Sequence, residues 1–154
     1  MRTFWGCAVL ASGLICVPVA AQDDAKPDLS GTWQLDAAKS EMPLNKLSGL
    51  TMLISEKDGK ININEDETLA GGKERKITYT CTTDGKECDV PETKAKASFW
   101  YNGAMLVSME TEHNGASVIR QRLKLSADSK SLNVEISSLV PLSDKTDKLV
   151  LLKQ

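Results

Sequence analysis

Leu29-Ser30-Gly31-Thr32-Trp33-Gln34-Leu35-Asp36 reads as the first strand of a β domain. A glycine stands two residues before one of the few large aromatics, and apolar and polar residues alternate around them. Period-two alternation puts every second side chain on one face of an extended chain. The same pattern then recurs. Ile61 and Ile63 alternate with Asn62 and Asn64; Ile77, Tyr79 and Cys81 with Thr78 and Thr80; Ala95, Ala97, Phe99 and Tyr101 with Lys96 and Ser98. Met105, Val107 and Met109 alternate with Ser108 and Glu110; Ile119, Leu123 and Leu125 with Arg120, Arg122 and Lys124; Leu132, Val134 and Ile136 with Asn133 and Glu135. Segment after segment of this kind predicts an antiparallel sheet with one apolar face.

Turn signals separate the segments: Asp58-Gly59, Gly71-Gly72, Asp84-Gly85, Asn102-Gly103, Asn114-Gly115 and Asp128-Ser129. These residues tolerate positive φ or bond their own backbone, so each step is one strand plus one turn. Leu149-Val150-Leu151-Leu152 is apolar on both faces, which predicts a last strand covered on both sides. An open meander would leave two exposed edges, whereas curling the last strand onto Gly31–Leu35 removes them. The expected fold is therefore all-β: an antiparallel up-and-down barrel of eight to ten strands, favoured over a sandwich.

The N-terminus carries Arg2, an apolar run from Phe4 to Val17, and small residues at Val19 and Ala21. That combination predicts a signal peptide over residues 1–21, too short in its apolar run to span a bilayer. A flexible arm over 22–28 and a barrel domain over 29–154 follow. Cleavage leaves 133 of the 154 residues, enough for one domain, with 18 basic against 21 acidic side chains. A mildly acidic, interspersed balance argues against a nucleic-acid partner. The expected product is secreted or periplasmic, monomeric and without a membrane span.

Of four cysteines, Cys81 and Cys88 survive cleavage, flanking Thr-Thr-Asp-Gly-Lys-Glu. In an oxidising compartment they are expected to form a disulfide linking a hairpin. A four-residue loop, Thr83 to Lys86, would set them in the closer, non-hydrogen-bonded register that cross-strand disulfides fit. A metal site would need further ligands, and the single His113 lies far along the chain in a turn.

At Gly31-Thr32-Trp33 the sequence resembles the lipocalin and fatty-acid-binding superfamily, the calycins, in which Gly-x-Trp on the first strand closes one end of a barrel. The resemblance implies a late-strand Lys or Arg packed on the indole, with Lys148 and Lys153 as candidates. Gly31 to Ser40 is similar to a group of uncharacterised bacterial secreted proteins with lipocalin-like domains. Asn102-Gly103-Ala104-Met105-Leu106-Val107 and the Leu125 to Val134 stretch resemble the same group's strands and turns. Such barrels host many unrelated functions.

Catalytic constellations are missing from the sequence. His113 has no nucleophile beside it, no Gly-rich phosphate loop occurs, and Glu65-Asp66-Glu67 lacks calcium-loop spacing. Glu110 and Glu112 read as acids on a wet outer face, facing the basic stripe Arg120, Arg122 and Lys124 across a hairpin. No enzyme, no metal and no cofactor are expected. The candidate interior is Tyr79, Phe99, Met105, Val107 and Met109, with small alanines and adaptable methionines that leave room for a guest. A filled core is the competing reading of that interior. Trp100 stands on the polar side as a rim or contact aromatic. The leading function is a barrel binding a small apolar or amphipathic molecule. The alternative is a cavity-less interaction module resembling small-barrel protease inhibitors, whose N-terminal segment enters the protease.

Overall fold

The computed structural model describes residues 26–43 and 47–154, and for His113 the backbone alone. The expected signal peptide, and residues 22–25 of the expected arm, lie outside the described residues. Ten strands follow one another: β1 (Gly31–Leu35), β2 (Leu47–Lys57), β3 (Lys60–Leu69), β4 (Glu74–Thr82), β5 (Asp84–Val90), β6 (Ala95–Asn102), β7 (Met105–Glu112), β8 (Ser117–Leu125), β9 (Ser131–Val140) and β10 (Leu142–Lys153). They form one antiparallel sheet in the order β4-β3-β2-β1-β10-β9-β8-β7-β6-β5. Consecutive strands pair, except β4 and β5, and β10 returns to β1 with Leu35 opposite Leu151 and Trp33 opposite Lys153. The result is the nearly closed up-and-down barrel that the alternation and the apolar last strand predict.

Turn chemistry explains the short connections. Asp58 and Gly59 both take positive φ, 52° and 72°, the geometry whose twist matches a two-residue hairpin loop. Asn114 at φ 56° turns the chain between β7 and β8.

One end of the barrel is sealed by the opening motif. Trp33 and Leu29 are fully buried, and the indole N–H donates to the Leu29 carbonyl at 2.9 Å. Lys153, not Lys148, supplies the packed cation, its Nζ 5.2 Å from the Trp33 ring centroid. Gly31 makes that possible: its φ is +141°, and a Cβ there would sit 2.9 Å from Lys153 Cε. Ile54, Ile61, Leu106, Leu123, Leu132 and Leu151 complete a dry plug. Each such burial stabilises by about 1.5–3 kcal/mol. At the same end, Lys26 pairs with Glu56 and lies over the Tyr101 ring, and the Tyr101 hydroxyl donates to Glu56 at 2.7 Å.

The expected disulfide joins Cys81 to Cys88, with Cα atoms 5.4 Å apart. The pairing around it differs from expectation. No ladder joins β4 to β5 among the described residues; they are the two ends of the sheet order, lying side by side. β4 stops at Thr82 and β5 starts at Asp84, so the four-residue loop does not form. Beyond Cys81 and Cys88, the seam is crossed by the Thr78 amide donating to Glu92 Oε1 at 3.3 Å. It is also crossed by Tyr79 against Phe99, ring centroids 6.0 Å apart.

Candidate functional site

At the end opposite Trp33 the interior changes character. The inward phase of β3 is set by Ile61 and Ile63, which face Cys81 and Tyr79 on β4. Continuing that phase, Glu65 and Glu67 also point inward, opposite Ile77 and Arg75. The acidic run 65–67 is therefore not a solvated surface: only Asp66 faces out, where it pairs with Lys76.

β7 follows the same logic with a larger consequence. Its two-residue connection from β6, Gly103 and Ala104, pairs Asn102 with Met105 and hence Tyr101 with Leu106. Tyr101 belongs to the inner row with Ala97 and Phe99, so Leu106, Ser108, Glu110 and Glu112 point inward too. Met105, Val107 and Met109 take the other face, opposite Lys124, Arg122 and Arg120. The expected lining is corrected accordingly. Tyr79 and Phe99 face the interior, whereas Met105, Val107 and Met109 lie on the outer wall, with Val107 opposite the half-buried Trp100. A one-residue change of phase moves every side chain of a strand to the other face. The paired surface acids are corrected for the same reason. Glu110 and Glu112 face in, the basic stripe faces out, and Arg122 pairs instead with Glu135 at 3.7 Å.

These inward carboxyls line a cavity of about 110 Å³. Glu65, Glu67, Glu110, Glu112 and Arg75 are its charged groups; Leu50, Met52, Ile77, Ile119 and Val134 belong to its apolar wall. It is smaller than the roughly 300–1,000 Å³ usual for drug-sized ligands, so most of the barrel is filled by its own side chains. Arg75 is committed to Glu67, which accepts from Nε at 2.7 Å and from a terminal guanidinium nitrogen at 2.6 Å. Thr93 donates to Glu110 at 3.4 Å. Glu65 has no hydrogen-bond or ion-pair partner among the described residues.

Burial, then the neighbouring Glu67 and Glu110, push the Glu65 carboxyl up to about 8, far above an ordinary glutamate. Burial and Glu112 raise Glu110 as well. Tyr79 is raised by burial and by these same acids. Among the described residues no three Cys, His, Asp or Glu side chains converge to hold a metal ion.

No protein family matches the sequence, and no curated protein does. Among solved structures, the chain is similar to the crystal structure of the wild-type fluorescent protein UnaG. The TM-score is 0.57 and the identity 16%, covering 82% of this chain and 97% of that one. It is also similar to the fatty-acid-binding protein isolated from Manduca sexta, with TM-score 0.55 and 15% identity over 80% and 98% of the two chains. At such identity the likeness concerns the fold alone. What this chain shares with them is the nearly closed antiparallel barrel, in which β10 closes on β1.

Proposed function

We propose that this protein is a secreted, non-enzymatic, monomeric carrier that holds one small amphipathic molecule at the open end of its barrel. The observation that carries the reading is the cavity itself: a part-apolar, part-ionisable chamber at the end the Trp33 plug leaves unfilled. A pocket with an apolar wall and a few placed polar groups is the usual form of a small-molecule site. The fatty-acid-binding neighbour supports a binding role by analogy of fold, which is a weaker argument than the site. Secretion is supported by the leader-like residues 1–21 and by a disulfide, which persists in oxidising compartments. The cavity favours a carrier over an interaction module without one.

Native mass spectrometry of protein exported to a periplasm and purified without detergent tests this. The expected result is an added mass that is lost on denaturation. A bare mass, still bare after incubation with a small-molecule extract of the producing cells, would overturn it.

A further inference from the structure

Among the described residues, the cavity is lined by the carboxyl groups of Glu65, Glu67, Glu110 and Glu112 and by the Arg75 guanidinium, which is already bonded to Glu67. Burying a carboxyl is costly unless a partner satisfies it. Glu65 is the telling member: its half-buried side chain lines the cavity and finds no hydrogen-bond or ion-pair partner among the described residues. We propose that the cavity is a site for a small organic cation, a protonated amine or amidine on a short apolar body, with Glu65 as its principal counter-ion. The inference rests on the cavity being the binding site, and it names the ligand's charge.

Complementarity runs one way only. A carboxylate ligand would face acids from two strands, Glu65 and Glu67 on β3 and Glu110 and Glu112 on β7, with Arg75 withheld by Glu67, and like-charge contact is what rejects a wrong partner. A bare metal ion lacks a converging ligand set among the described residues. The apolar wall formed by Leu50, Met52, Ile77 and Ile119 suits a hydrocarbon body of a few carbons in so small a volume.

Binding also carries a proton signature. The charged groups around Glu65 are Glu67 on its own strand, Arg75 and Tyr79 on β4, and Glu110 and Glu112 on β7. Among the described residues, β2, β8 and β9 add uncharged side chains to the cavity, and β10 adds the buried Asp147 to the barrel interior. With Glu65 raised to about 8, its carboxyl is mostly neutral at pH 6 and must release a proton to pair with an ammonium. A cation therefore binds about tenfold more tightly at pH 7 than at pH 6.

The test is calorimetric titration of the full, disulfide-bonded chain with n-hexylamine, hexanoate and hexanol at both pH values, with amide NMR shifts locating each site. Hexylamine keeps its proton throughout, as lysine does. The expected result is hexylamine binding at the cavity, the tenfold pH step, and no binding of hexanoate. Glu65→Gln is expected to weaken hexylamine and abolish the step. Glu110→Gln is expected to weaken it while leaving a step, and serves if the first variant does not fold. Hexanoate or hexanol bound in the cavity as tightly as hexylamine would overturn the cation inference while leaving the cavity reading intact. Failure of all three probes to perturb the cavity residues would overturn both.

Discussion

Glu65 shows how much one side chain's phase decides. It sits two residues beyond Ile63 on the same face, so the sheet carries a carboxyl into the interior where an isoleucine would sit without cost. Its folded-state value of about 8 exceeds the unfolded glutamate value of 4.5, so the folded protein holds a proton that the unfolded chain releases above pH 4.5. Stability from this group is therefore fully present below pH 4.5 and declines as pH rises toward 8, with a slope of at most about 1.4 kcal/mol per pH unit. Glu110, raised for the same reason, adds in the same direction. Urea unfolding between pH 5 and 8 is expected to show a falling midpoint, and Glu65→Gln to flatten that fall. A midpoint that rises or stays level in the unaltered chain would contradict the interior placement. The alternation along β3 already held this information, because Ile61, Ile63, Glu65 and Glu67 share one phase. Charge type masked it.

At the scale of elements, β4 and β5 are the weak point of the wall, two edges meeting without a ladder. Unpaired edges are a liability, and here a covalent link between Cys81 and Cys88 holds them together. Closing so short a ring contributes roughly 2–3 kcal/mol on the chain-entropy account. Replacing both cysteines with alanine is expected to cost that much in urea unfolding. It is also expected to speed amide exchange selectively in 74–82 and 84–90, since the remaining strands keep both neighbours. Uniform exchange across all ten strands would instead mean that the seam is no weaker than the rest. Cysteine spacing predicts the bond, but not that it joins the two ends of the sheet. Sequence neighbours normally pair, and Thr82 and Asp84 lie too close for a regular two-strand turn.

For the molecule as a whole, closure depends on β10, which pairs with β9 on one side and β1 on the other. Leu151 is fully buried, facing Leu35 and Leu132 across both ladders. Leu151→Ala is expected to cost about 2–5 kcal/mol by lost burial and residual cavity. Leu142→Ala, on the same strand but 85% exposed, is expected to change stability by less than about 0.5 kcal/mol. Equal effects in denaturant titrations would argue against a barrel closed by this strand. The two ends of the barrel divide the work. The Trp33–Lys153 end is a dry plug, and the far end keeps the ionisable chamber.

Period-two patterning and turn residues determined the fold class and the closure of the last strand on the first; the sealed end at Gly31-Thr32-Trp33 was implied by the resemblance that motif carries. The fold class and closure follow from local chemistry: alternation sets faces, and Asp58-Gly59, Asn102-Gly103 and Asn114-Gly115 set turns, whereas Asp84-Gly85 opens β5. The seam at the disulfide and the lining of the cavity were decided only by tertiary structure. In β7 both phases carry apolar residues, Met105, Val107 and Met109 against Leu106, so hydrophobicity alone does not select the inner face. The pairing of Tyr101 with Leu106, imposed by the short Gly103-Ala104 connection and by the packing of β6, made that choice and turned Glu110 and Glu112 inward.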